Sequence, residues 1–106
     1  MPDASWIRLD RWHGLTREQQ EGMPPLCPDF VIELRSPSDR VPDLQDKMQE
    51  YIANGARLGW LIDPSERVVH VYRPGEVVER LESPVEVSGG LVLPGFTLRL
   101  ANVWDA

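Results

Sequence analysis

The sequence predicts an α+β fold or a mixed sheet, and three patterns carry that expectation. Phe30-Val31-Ile32-Glu33-Leu34 is a strand pattern of β-branched and aromatic residues. An amphipathic helix pattern follows it, and after the helix come several short strand patterns separated by turn residues.

In chain order, residues Ala4 to Leu9 read as a first strand and Thr16 to Glu21 as a short polar helix ended by Gly22. Pro24, Pro25 and Pro28 bar regular helix and central strand from the next stretch, which delivers the chain into the central strand at Phe30. Ser36-Pro37-Ser38-Asp39 supplies capping residues and Pro42 suits a first helical turn, so a helix is predicted from about Pro42 to Asn54, with Gly55 closing it. Leu44, Met48, Tyr51 and Ile52 share one face of that helix, which packs it on a sheet. Arg57 to Ile62 resumes as strand, Asp63-Pro64-Ser65-Glu66 turns, and Val68 to Tyr72 returns as the second arm of a hairpin. Val77 to Leu81, Leu91 to Leu93 and Phe96 to Leu100 read as further short strands.

With 106 residues and no internal repeat, the chain is expected to fold as one domain over 1–106. No run approaches the roughly 18 apolar residues of a membrane span, and the start has no secretory pattern, so a cytoplasmic location is expected. The single cysteine, Cys27, excludes an internal disulfide and a cysteine-based zinc site. A net charge of −6 argues against a protein that coats nucleic acid by neutralising phosphates. It does not argue against a site that holds a divalent cation, because such a site gathers carboxylates and the ion then supplies the local positive charge.

Alternation along the central strand puts Asp29, Val31, Glu33 and Arg35 on one face. Glu33, planted among Val31, Ile32 and Leu34, is costly to bury alone, so an arginine, a lysine or a metal ion must face it. An ion pair with Arg35 or Lys47 is the structural alternative to a catalytic role. Lys47 borders the apolar stripe of the helix, where its stem can pack while its ammonium reaches towards the strand. A lysine so placed can orient a water or stabilise charge on a phosphate. His13 and His70 are too far apart in sequence to claim a zinc site, and Trp6, Trp12, Trp60 and Trp104 are expected in the core or at interfaces rather than stacked on bases. No glycine-rich phosphate cradle and no Ser/His/Asp pattern is present.

The stretch from Pro28 to Pro64 resembles the Uma-type family of restriction-endonuclease-like proteins, within the PD-(D/E)xK nuclease superfamily. The likeness continues through Val71-Tyr72-Arg73-Pro74 and Leu93-Pro94-Gly95-Phe96. It implies a restriction-endonuclease-like core, a mixed sheet flanked by helices, and a divalent-metal-dependent endonuclease that hydrolyses DNA. In that reading Asp3, from Pro2-Asp3, and Glu33 ligate Mg²⁺ or Mn²⁺. Lys47 matches the helix lysine of relatives and completes the catalytic set. Arg35 stands where the superfamily motif has lysine; because it does not lose its proton it can contact a phosphate but cannot act as a base, and Asp29 is an outer-shell candidate. Relatives begin upstream of Pro2-Asp3, so an N-terminally truncated core is expected. A sheet edge exposed in this way invites a homodimer or higher homo-oligomer. The alternative is a catalytically inactive remnant of the nuclease fold that serves as a binding or oligomeric interaction module.

Overall fold

Extended, β-branched and aromatic segments alternate with turn residues in the computed structural model, which describes residues 4–6 and 28–104. In chain order the elements are β1 (Ala4–Trp6), β2 (Phe30–Leu34), α1 (Val41–Ala53), β3 (Leu58–Asp63), β4 (Val68–Tyr72), β5 (Glu79–Glu82), β6 (Glu86–Ser88), β7 (Thr97–Arg99) and α2 (Ala101–Trp104). Strands β1 to β5 form one sheet in sequence order, and β6 pairs with β7 in a separate ribbon. β2 and β3 run parallel, which requires a crossover, and α1 provides it. The other three pairings in the large sheet are antiparallel, so the sheet is mixed.

Each face of that sheet buries its own cluster. Val31, Leu61 and Tyr72 pack with Leu44 and Met48 of α1 on one face. On the other, Phe30, Leu58, Trp60, Ile62, Val69 and Val71 pack against Val87 of β6 and Leu100, which precedes α2. Phe30 meets Trp60 edge-on with ring centroids 4.8 Å apart, and Phe96 stacks on Trp60 at 6.2 Å. Gly59 lets α1 sit close, because a Cβ built there would lie 2.6 Å from Met48 Cε and 3.2 Å from Val31 Cγ2.

The helix starts one residue before the predicted Pro42, which lies in its first turn. Its N-cap is Arg40, which makes no side-chain cap. Asp39 instead folds back to accept hydrogen bonds from the Ser36 amide and hydroxyl, both at 2.9 Å, so the predicted capping cluster closes its own turn. Gly55 follows the helix at φ +113°, a conformation that favours glycine. β3 lies one residue later than predicted and β4 lies where the alternation put it. β5 begins at Glu79 rather than Val77, whose side chain is exposed.

Leu91 to Leu93 is not a strand. The Leu93 amide bonds Gly89 O and the Phe96 amide bonds Leu93 O, so the segment coils into consecutive turns, and β6 at Glu86–Ser88 takes its place as the partner of β7. The strand expected over Phe96 to Leu100 is limited to Thr97–Arg99, and the chain then turns into α2. The polar helix at Thr16 to Glu21, Cys27, His13, Trp12 and the far end of the first strand lie outside the described residues.

Candidate functional site

The alternation of β2 turns Glu33 towards α1, where it is buried at 4% exposure. Across the sheet Glu33 is level with Leu61 of β3, which is level with His70 of β4 and then Arg80 of β5. Two side chains on one flank of α1 reach the carboxylate. Lys47 Nζ lies 2.9 Å from Glu33 Oε1, and the Tyr51 hydroxyl donates to that same oxygen at 3.1 Å. Residues four apart on a helix are neighbours, which is why these two converge. Lys47 Nζ also stands 6.0 Å from the centre of the Tyr51 ring, at the outer limit of a cation–π contact.

The electrostatics follow from this contact. The hydrogen bond to Glu33 raises the Lys47 pKa above its ordinary value and outweighs partial burial, which acts the other way. Burial first, and the bond to Glu33 second, push the Tyr51 hydroxyl up to about 12. At neutral pH both groups therefore carry their protons while they hold Glu33.

Arg35 does not join that cluster. Its NH1 donates to both carboxylate oxygens of Asp63, at 3.3 and 3.2 Å, and to Ser65 Oγ at 2.8 Å, while Nε donates to the Asp39 carbonyl at 3.4 Å. Asp63 Oδ1 also accepts the Ser65 hydroxyl at 2.8 Å and the amides of Ser65 and Glu66. Burial acts to raise the Asp63 pKa, but the Ser65, Glu66 and Arg35 donors together hold it below the usual carboxylate range. A pocket of about 270 Å³ opens beside this cluster, lined in part by Arg35, Gln45, His70 and Arg80. Burial, then the Arg80 charge, lower the His70 pKa.

Asp29 is buried at 1% exposure, with its backbone carbonyl accepting the Arg57 and Leu58 amides at 2.8 and 3.2 Å. It lies four strand positions from Glu33, about 13 Å at a rise of roughly 3.3 Å per residue, out of reach of one shared ion. Asp3 lies outside the described residues. Among the described residues no three His, Cys, Asp or Glu side chains gather where a metal ion could be held.

The Uma2 family model, described as "Putative restriction endonuclease", matches residues 1–101. The chain belongs to the Uma2 family. A search of curated proteins returns no match. Among solved structures, a protein titled a putative nuclease belonging to DUF820, from Anabaena variabilis, is similar at 28% identity with a TM-score of 0.68. The alignment covers 77% of this chain and 46% of that one, so the chain spans less than half of that neighbour's length.

The Uma2-family chain thus has a restriction-endonuclease-like fold, with its mixed sheet, its crossover helix, and Glu33 and Lys47 in contact between them. Sequence reasoning assigned Tyr51 only to the packing stripe of the helix. Its spacing of four residues from Lys47 was the available signal that it shares Lys47's target. Asp63 was read only as a turn residue, and no local pattern links it to Arg35, 28 residues earlier.

Proposed function

We propose that this Uma2-family chain acts in a divalent-metal-dependent endonuclease that hydrolyses DNA phosphodiester bonds at the Glu33 site. The observation that carries the reading is the contact of Lys47 Nζ with a buried strand carboxylate at 2.9 Å. Glu33 offers a hard oxygen, the donor type that Mg²⁺ and Mn²⁺ take. Asp3 is the proposed second acid; its neighbour Ala4 pairs with Ile32, the residue before Glu33. A cation held there would polarise a phosphoryl oxygen and acidify a bound water.

The remaining work falls to the chain's own groups. Lys47, held protonated beside Glu33, is a fixed cation that stabilises negative charge on the phosphate under attack and orients the attacking water. Arg35, anchored through NH1 and Nε, has its second terminal nitrogen for a flanking phosphate oxygen. Asp29, about 13 Å along the strand from Glu33, is too distant for the outer-shell role and serves as structure at the entry to β2, where its carbonyl holds the Arg57 and Leu58 amides. A homodimer or larger homo-oligomer in the cytoplasm belongs to the same reading, with β1, only three described residues long, at the sheet edge that pairing would extend. No helix of the described residues is long and apolar enough to cross a membrane.

Purified protein supplied with Mg²⁺ or Mn²⁺ is expected to nick supercoiled plasmid, and Glu33→Gln is expected to abolish nicking. Nicking retained by folded Glu33→Gln would falsify the assignment. A second reading, a catalytically silent interaction module, is favoured by one observation: Lys47 and Tyr51 already satisfy Glu33 without any metal. Calorimetry separates the two, because the silent module forms its oligomer and takes up no Mn²⁺.

A further inference from the structure

The five-stranded sheet ends at β5 on the side away from β1, where β4 is the neighbouring strand and Glu79, Arg80 and Glu82 are exposed. The register shows which backbone groups of β5 face outward. Val68 is level with Glu82, and the Ser83 amide donates to the Arg67 carbonyl at 2.6 Å, so Glu82 stands at a position that exchanges no bond with its partner on β4. Antiparallel bonding alternates, which leaves Glu79 and Leu81 bonded to β4 and turns the amides and carbonyls of Arg80 and Glu82 away from it. Among the described residues no further strand pairs with them. Such an edge is a template for an added strand, and it is a short one, because Ser83 at φ 46° and then Pro84 follow β5 directly.

We infer that this edge joins two copies of the chain, β5 against β5 in antiparallel register about a two-fold axis at Leu81. Parity and charge together select that partner and that register. Outward-facing backbone groups must meet outward-facing groups, so the axis passes through a residue and not between two. An axis at Glu79 or at Glu82 opposes two glutamates, and one at Arg80 opposes two arginines; like charges directly opposite are destabilising. Leu81 is the residue of β5 that avoids this. An axis there sets Arg80 of each copy against Glu82 of the other, two attractive pairs at the positions whose backbones exchange bonds, with the Leu81 side chains meeting on the other face. The same axis brings Val77, 94% exposed, towards the end of the second copy's strand where Val85, 79% exposed, follows it, so that apolar groups otherwise left in water approach each other. Charged edge residues commonly prevent strand addition. Arg80 and Glu82 make only a loose contact within one copy, Nε to Oε1 at 3.7 Å with side chains 54% and 76% exposed, which leaves both to engage a second strand. The strip is smaller than a standard interface, so the dimer is weak and concentration-dependent. It closes at two copies, and it is independent of the metal-dependent reading because Glu33, Lys47 and Tyr51 take no part in it.

The test is sedimentation equilibrium over a concentration series on the full chain, on Arg80→Glu, on Glu82→Arg and on the double exchange, with circular dichroism confirming that each is folded. The unmodified chain is expected to show a monomer–dimer equilibrium. Each single variant sets like charges opposite one another twice and is expected to dimerise about tenfold more weakly, while the double exchange restores the pairing. The decisive measurement is an equimolar mixture of the two single variants. Neither has an attractive contact between positions 80 and 82 of its own strand, but side by side they present opposite charges at both positions, so the mixture is expected to recover the dimer. A role for the two charges solely in blocking strand addition predicts no recovery. A chain that stays monomeric throughout, single variants that dimerise as well as the unmodified chain, or a mixture that recovers nothing would overturn the inference; dimerisation undiminished in the single variants would place the contact on another surface, such as β1. Should one single variant not fold, the other still decides together with the double exchange, since undiminished dimerisation in the first or none in the second contradicts the pairing.

Discussion

Glu33 is a carboxylate buried beside aliphatic neighbours, and its compatibility with the fold depends on what α1 brings to it. Lys47→Met keeps the aliphatic stem and removes the charge, leaving Glu33 with the Tyr51 hydroxyl. Breaking a fully buried pair costs about 3–5 kcal/mol. Lys47 is 35% exposed on its side chain, so water recovers part of the loss. The expected destabilisation is about 1–2 kcal/mol, measured by urea denaturation at neutral pH. The same contact predicts an alkaline transition. Lys47 and Tyr51 both bind their protons more tightly in the folded chain than their ordinary values of 10.5 and 10.0, with Tyr51 pushed up to about 12. The stability they contribute is fully present below the ordinary values and is lost as pH rises through the folded ones. Stability should therefore be level near neutrality and fall from about pH 10 to about pH 12, and it should fall less steeply in Tyr51→Phe. An identical alkaline slope in that variant would remove Tyr51 from the account.

The element that matters most to the site is α1, and its closeness to the sheet is set at Gly59. A methyl group at that position would stand 2.6 Å from Met48 Cε and 3.2 Å from Val31 Cγ2, so the Met48 side chain or the helix must move. Gly59→Ala is expected to cost about 1–3 kcal/mol, the usual penalty for overpacking, and to weaken Mn²⁺ uptake by shifting the helix that carries Lys47 and Tyr51. Shortening Met48 to valine in the same chain should recover metal uptake; failure to recover would show that Met48 is not the group in conflict. The helix was legible in the sequence because Leu44, Met48, Tyr51 and Ile52 repeat at its period and Pro42 and Gly55 mark its ends. For the same reason the approach of Lys47 to β2 could be anticipated from angle alone. Periodicity reports which side of a helix is buried but not where a hydroxyl points, so the bond from Tyr51 to Glu33 went unread. The pairing of Arg35 with Asp63 joins residues 28 apart and had no local signature. β6 escaped detection because Val87 is its single buried residue between exposed Glu86 and Ser88. Leu91 to Leu93 misled because its strand-like composition sits between Gly90 and Gly95, both at positive φ, which let the chain coil back on itself.

At the scale of the molecule, one sheet separates two clusters with different tasks. The face under α1 holds Val31, Leu44, Met48, Leu61 and Tyr72 together with the Glu33 contact, while the opposite face holds Trp60 and is closed by Val87 and Leu100. Leu100 is fully buried in that second cluster, and its amide bonds Val85 O at 2.9 Å, tying the start of α2 to the strand ribbon. Leu100→Ala should destabilise the chain by about 2–5 kcal/mol, the usual cost of such a cavity in a core. Because both clusters share β2, β3 and β4, the loss should lower the urea midpoint of the α1 helical signal as much as that of the tryptophan signal, giving one cooperative transition. The site itself should not register the change: under conditions where the variant remains folded, Mn²⁺ uptake should match the unmodified chain. Separate transitions for the two signals would mean that the faces fold independently. A loss of Mn²⁺ uptake in folded Leu100→Ala would mean that the far face sets the position of β2, and that the Glu33 contact depends on the whole sheet rather than on α1.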